Sequence, residues 1–336
     1  MSLYKAETRR LVKRRFTKLF VVGGVLVLAA VLVGTYLTNE KLGPEQIARA
    51  QASAQEDFKR SLAAAEQERK NCAAAQGTAA ASNYPPNCEG MYTPTQADFD
   101  PKWYLPATFD FRENFPNLVT TFAALLAVVG FIVGASFVGA EWSSGGMMNL
   151  LLWRPQRIRV LGTKLAAFLV GLISLTVVLA AIWTGLAYLI ARTRGTTEGM
   201  TSGAWQSISL TELRALAVVG VGGVLGFGLA SIGRHTAMAL GAVVAVVIVL
   251  QFGLGTVLSL AHVKFFEAYL IPIWVIAWMD KRYVIEDSSS CDFSAVNGCQ
   301  PETLTLTWQM AGGALIAIFV LIVGAALWTM RSRDVT

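Results

Sequence analysis

Along the chain, apolar residues gather into six long stretches, 19–37, 118–140, 165–191, 215–232, 236–261 and 308–330, separated by polar or mixed segments. Each stretch is close to, or longer than, the roughly 18–20 apolar residues that carry a helix across a hydrocarbon core about 30 Å thick. None holds an Asp, Glu, Lys or Arg. A soluble core can bury one such run. Six of them in 336 residues, 54% of which are hydrophobic, predict an all-α polytopic membrane protein with six transmembrane helices.

Charge orients the spans. With the N-terminus in the cytoplasm, segments 1–18, 141–164, 233–235 and 331–336 lie inside and carry 14 Lys/Arg against three Asp/Glu. Segments 38–117, 192–214 and 262–307 lie outside and carry 14 basic against 19 acidic residues over a much greater length. Basic residues are therefore concentrated inside, as in plasma-membrane proteins with both termini cytoplasmic. This distribution accounts for the net charge of +6 by topology and by attraction to anionic lipid headgroups, without a nucleic-acid partner. The first apolar run is long and lacks a small-x-small cleavage pattern at its outer end, so it reads as an uncleaved span.

All four cysteines fall in the outside segments: Cys72 and Cys88 in the first, Cys291 and Cys299 in the third. Confinement to one side suggests disulfides in an oxidising compartment, and closeness in sequence favours Cys72–Cys88 and Cys291–Cys299 over the other pairings. The first outside segment, 38–117, has two halves. From Glu45 to about Ala75 it is rich in strong helix formers behind Pro44, which suits a first helical position. Ile47, Ala54, Phe58, Leu62 and Ala65 make a narrow apolar stripe along that helix. From Gly77 to Asn117 six prolines with interspersed aromatics predict irregular structure.

In the third outside segment, 265–279 is dense in apolar and aromatic residues but too short to span and interrupted by Pro272. A re-entrant or interfacial helical hairpin before the last span fits. Ser209 and Glu212 have the spacing of a capping box leading into the fourth span. That span is glycine-rich, and Gly222 and Gly226, four apart, offer a smooth face for close helix packing.

No Gly-x-x-x-x-Gly-Lys-Ser/Thr loop is present, so the chain has no P-loop route to ATP hydrolysis and is not an enzyme by itself. The two histidines, His235 and His262, flank the fifth span and form no metal or catalytic set. Gln251, the one strongly polar side chain deep in a span, reads as an interhelical hydrogen bond. The richest inside segment is 141–164. It holds Glu141 at a span end, a flexible step at Gly145, a short apolar helix with Met148, Leu151 and Trp153, a stop at Arg154-Pro155, then Arg157 and Lys164 leading into the next span. A short apolar helix beside cations either lies on the membrane surface or docks on a partner.

Glu141, Gly145, Leu151, Pro155, Arg157 and Lys164, in that order, resemble the cytoplasmic signature loop of the permease subunits of type-2 class ABC exporters. Glu7 to Leu11, followed by Arg14-Arg15, is similar to their basic lead-in helix. Gly228 to Arg234, with Ala237, resembles their short cytoplasmic turn between spans four and five. The six-span layout agrees, whereas the long first outside segment is not covered and Gly146 stands where a Thr is common. The resemblance implies that 141–164 is a coupling loop seated on a separate ABC ATPase present in two copies, with ATP and Mg bound there and no cofactor in this chain. It also implies a second permease copy, as homodimer or heterodimer, around a central path for an amphipathic or hydrophobic substrate. Glu141 and Arg157 would tie the loop to the partner or to each other. The alternative is a polytopic anchor or sensor whose outside domain binds a ligand without ATPase coupling.

Overall fold

A computed structural model describes residues 3–153, 156–287 and 301–332. Among the described residues, six helices are long and apolar enough to cross a membrane. They are α2 (Arg15–Thr38), α4 (Phe111–Ser143), α6 (Arg157–Arg194), α7 (Ser202–Gly233), the composite Thr236–Leu260 and α11 (Trp308–Ser332). The composite span is α8 (Thr236–Val246), a π-helical stretch over Val247–Leu254 and α9 (Gly255–Leu260). The shorter helices are α1 (Leu3–Lys13), α3 (Pro44–Ala75), α5 (Gly146–Trp153) and α10 (Ile271–Met279).

Two units divide the chain. The first comprises Met1–Leu32, Arg112–Ala187 and Glu198–Thr336, and the second Val33–Phe111 and Tyr188–Thr197. In the first, the core is a stack of aromatic rings, Phe137–Phe168–Phe227, with centroids 6.3 and 6.0 Å apart, joining α4, α6 and α7. Alongside it, α4 and α7 approach backbone to backbone. A Cβ on Gly226 would lie 2.0 Å from the Phe131 carbonyl oxygen, and one on Gly134 2.6 Å from the Gly223 carbonyl oxygen. Gly222-x-x-x-Gly226 on α7 thus meets Gly130-x-x-x-Gly134 on α4, so small residues on both helices permit the contact.

Several elements depart from the pattern-based expectation. Ser209 does not cap a helix: α7 begins at Ser202, capped by Thr201, whose hydroxyl accepts from the Ala204 N–H. Ser209 donates to the Trp205 carbonyl mid-helix, and Glu212 accepts from the Thr184 hydroxyl of α6. The helix is longer than its apolar run because propagation adds one hydrogen bond per residue once a turn exists, whatever the side-chain polarity. α4 likewise starts before its apolar run, at Phe111, so that Pro116, expected in irregular chain, lies inside it. Gln251 makes no interhelical hydrogen bond; its Nε2 is buried without a partner among the described residues.

The segment before the last span is also rearranged. In place of a helical hairpin, a 3-10 turn (Phe266–Tyr269) leads into α10, which is followed by a β-hairpin. Its strands, β3 (Arg282–Asp287) and β4 (Glu302–Thr307), pair antiparallel from Arg282 opposite Thr307 to Asp287 opposite Glu302. Ile285 and Leu306 face inward against Ala277 and Ala311, and polar residues alternate with them. Cys291 and Cys299 lie outside the described residues, as do Arg154 and Pro155.

In the second unit, α3 is the 32-residue helix expected behind Pro44. Its covered line is Ala50, Ala54 and Cys72, while Ile47 at the edge of the predicted stripe is exposed. Phe58 meets Phe99 at 5.8 Å and Asp57 accepts from the Tyr104 hydroxyl at 3.1 Å, so the 3-10 turns after α3 fold back onto it. The Cys72–Cys88 disulfide is present. Hydrogen bonds from Tyr92 and Thr95 hold the Asp98 carboxyl below the ordinary aspartate range. A short parallel pair, β1 (Phe109–Asp110) with β2 (Gly195–Thr196), closes the unit.

A link across 16 positions stabilises a fold by about 3 kcal/mol, mainly by restricting the unfolded chain. Replacing Cys72 and Cys88 together by Ala should therefore accelerate chymotryptic cleavage at Tyr92 and Trp103 in the full chain at least ten-fold by the ~1.4 kcal/mol-per-decade relation. Unchanged cleavage would show that packing on α3 alone holds the segment.

Candidate functional site

Lys164 opens the apolar part of α6 and is fully buried, at 0% exposure. An ammonium in that position is tolerated only if its donors are used and its charge is matched. Its Nζ lies 2.6 Å from Glu7 Oε2 and 2.7 Å from Glu141 Oε2, donating to the first. The face of Phe137 lies beneath, 4.8 Å from Nζ to the ring centroid. Glu7 in turn accepts from Arg10 Nη1 at 3.2 Å. Two carboxylates, one ammonium and one guanidinium sum to zero, and three separate elements, α1, α4 and α6, are pinned at one point.

A second contact reinforces the first. Arg14, between α1 and α2, donates from Nη1 to the carbonyls of Ser136 and Phe137 at 3.1 and 3.0 Å. Its guanidinium lies 5.6 Å from the Phe137 ring centre. The lead-in helix is thus more than a basic surface segment: its one acid, Glu7, sits on the same face as Leu11, and both are buried. Glu7 was missed as a site residue in the sequence. The available signal was a lone carboxylate in a segment otherwise basic, at helical spacing from an apolar residue.

Between Glu141 and Lys164 the chain turns out and back. Gly145 takes a left-handed conformation, φ +71°, which a side chain would strain, and starts α5. Within α5, Met147 and Leu151 are buried one turn apart, and Met148 is half-buried. The other side is bare: Leu152 is 82% and Trp153 85% exposed. An exposed Trp at the end of a short, anchored helix is an apolar surface that nothing among the described residues covers. Gln156, Arg157, Ile158 and Arg159 follow, lining a shallow basic depression with Arg331. The partner that the structure gives Glu141 is Lys164, which the sequence had only as a motif position.

The turn between α7 and α8 belongs to the same end of the unit. Arg234 is left-handed, φ 54°, and its guanidinium covers the Trp142 ring at 5.0 Å. A Cβ on Gly139 would come within 2.5 Å of the Thr236 backbone nitrogen, so this turn presses directly on α4. His235 caps α8, its Nδ1 accepting from the Ala237 N–H, rather than facing a ligand. Among the described residues no group of three His, Cys, Asp or Glu is placed to hold a metal ion.

The six spans, the charged loop between the second and third, and the short apolar helix inside it agree with one further observation. A family model described as ABC-2 family transporter protein matches residues 1–334. The chain belongs to the ABC-2 transporter family. No curated protein and no solved structure matches it. Membership makes this ABC-2 protein a multi-pass membrane transport component of a family that generally works with an ABC ATPase and is not itself catalytic.

Proposed function

We propose that this ABC-2 protein is the membrane-spanning subunit of an ATP-driven exporter of an amphipathic or hydrophobic substrate, with both termini in the cytoplasm of the cell. In this reading α5 is the coupling helix, seated in a groove of a separate ATPase that holds ATP and Mg. The observation that carries it is the pairing of an uncovered apolar tip, Leu152 and Trp153, with a buried ion cluster at the roots of the same loop. Force applied to α5 reaches Glu141 and Lys164 at the two roots of its loop, and through Glu7 it reaches α1. Three helices then move as one body instead of the loop flexing alone. The absence of a P-loop in the sequence is consistent with an energy source on another chain.

A second permease copy completes the reading. Only 6% of the apolar window of Thr236–Leu260 is buried within the chain, the least of the six spans. A neighbouring subunit on that surface would cover this span, giving twelve spans around a central path.

The test is a Leu152→Asp, Trp153→Asp double variant, compared with wild type after purification from the native membrane in mild detergent. Loss of a co-purifying P-loop ATPase, with an unchanged thermal transition, is expected. Truncating a central aromatic anchor typically costs 2 kcal/mol or more, roughly 30-fold in affinity, and a buried charge adds to that. Retention of the ATPase and of ATP-driven transport would remove α5 from the coupling role and place it on the membrane surface instead.

A further inference from the structure

Arg157 and Arg159 stand in the first turn of α6, and Arg331 stands in the last turn of α11. Distant in sequence, the three meet at one depression of about 500 Å³, which Gln156 and Ile158 also line. That volume lies within the roughly 300–1,000 Å³ typical of small-ligand sites. Among the described residues its lining holds no carboxylate. Arg157 is engaged within the chain. The other two guanidinium groups are not neutralised. Among the described residues Arg159 donates only to the uncharged Gln156 Oε1, at 3.2 Å, and Arg331 meets no carboxylate. Both side chains are exposed, so their donors are open to a ligand in the depression. Like charges gathered on one concave surface repel, and an anion among them relieves that repulsion. A phosphate does so best, because its oxygens match the planar fork of arginine with charge-assisted hydrogen bonds.

Depth in the membrane selects the source of that phosphate. Arg331 directly follows the apolar run of the last span, 308–330. Trp328 stands three residues earlier, on the same face of α11, and is exposed. Exposed tryptophans gather at the boundary between hydrocarbon and water, so Arg331 lies at the level of the lipid headgroups. Ile158 is exposed as well and gives the depression one apolar flank, against which the start of an acyl chain can rest. Basic pockets between spans on the cytoplasmic side suit anionic headgroups. A zwitterionic headgroup fits less well, since its own ammonium would enter the same cluster of cations.

We propose that this depression binds the headgroup phosphate of one anionic phospholipid, held between Arg159 and Arg331 with Arg157 beside it. With both termini in the cytoplasm the leaflet is the inner one. The site needs neither an ATPase nor a transported cargo, so it can fail while the transport reading stands, and the reverse.

The experiment takes the purified full chain in mild detergent and adds phosphatidylglycerol or phosphatidylcholine with the same acyl chains. Native mass spectrometry counts the lipids bound. Lipids held loosely along the spans are common to both, so the difference between the two isolates the site. Wild type should be half-saturated at about 30-fold lower phosphatidylglycerol than phosphatidylcholine, the combined effect of two arginines near an anionic headgroup. Arg159→Gln with Arg331→Gln should bring that ratio close to one with an unchanged thermal transition. Arg159→Lys with Arg331→Lys should keep most of it. Arg9→Gln with Lys13→Gln removes the same charge from exposed positions of α1 and should leave the ratio as it is. Glycerol phosphate, the headgroup without its chains, should compete at least about ten-fold more weakly than the lipid. The proposal is overturned by equal binding of both lipids in wild type, or by a preference that survives the glutamine pair. An equal loss in the α1 pair also overturns it, by reducing the effect to net charge. So does glycerol phosphate competing as well as the lipid, which would assign the depression to a soluble phosphate. A wild type without lipid preference, whose glutamine pair sheds a co-purifying ATPase, would assign it to that partner instead.

Discussion

Lys164→Met is expected to destabilise the membrane unit by about 3–5 kcal/mol, because it leaves two carboxylates facing each other with their shared cation gone. Glu7 is 1% exposed and Glu141 13%, so water cannot replace the ammonium. The measurement is thermal or denaturant unfolding of the purified chain in detergent. Neutralising the whole group, with Glu7→Gln, Glu141→Gln and Lys164→Met together, should recover most of the loss, since the cost lies in uncompensated charge and not in missing volume. A Lys164→Met protein as stable as wild type would mean that the cluster is not closed as described. The triple variant also separates stability from coupling. If it folds yet no longer links ATP hydrolysis to transport, the ion cluster carries the motion of α5 to the spans; if transport is normal, the cluster is a staple and no more.

Gly226→Ala should be nearly as damaging for a steric reason. Alanine in a helix is favoured over glycine by about 1 kcal/mol, so on propensity alone the change would stabilise α7. The new Cβ would lie 2.0 Å from the Phe131 carbonyl oxygen and 2.9 Å from its Cα. These are backbone atoms, which cannot turn aside as a side-chain tip can. α4 and α7 must separate, opening the packing around Phe131, Ala135 and Ala230. Overpacking of this kind costs about 1–3 kcal/mol, and more where backbone must move, so the clash outweighs the propensity gain. Gly185→Ala is the control, since its Cβ would meet nothing within 4 Å. It should leave stability unchanged or raise it by up to about 1 kcal/mol, the helix-propensity gain without a clash. Equal stability of the two variants would rule out the close α4–α7 seam.

Much of the architecture is legible in the chain because its cause is local. Six apolar runs of bilayer length have one economical outcome in lipid, where every backbone group must be satisfied within the segment. The helix behind Pro44 follows from thirty residues of strong helix formers, and the Cys72–Cys88 link from two cysteines close in sequence on one side of the membrane. The errors are as instructive. Ser209 and Glu212 have capping-box spacing, but a spacing rule cannot see that Thr201, eight residues earlier, already starts the helix. The hairpin of β3 and β4 was overlooked although Thr303, Leu304, Thr305 and Leu306 alternate with the period of a strand; the aromatic density just before it drew the reading toward helices.

Hydrophobic length, charge sidedness and helix-forming composition are properties of neighbouring residues, and they alone determine that this is a six-span membrane protein with a polar loop presenting a short apolar helix. Which charges meet is a property of distant ones. Glu7 and Lys164 are 157 positions apart and touch only because α1 folds against the roots of α4 and α6. Likewise, nothing in a list of glycines separates Gly226, pressed on the Phe131 backbone, from Gly313, facing an open groove. The tertiary structure decided these, because burial, charge compensation and steric contact depend on what lies across a helix face, and a single chain pattern records only what lies along it.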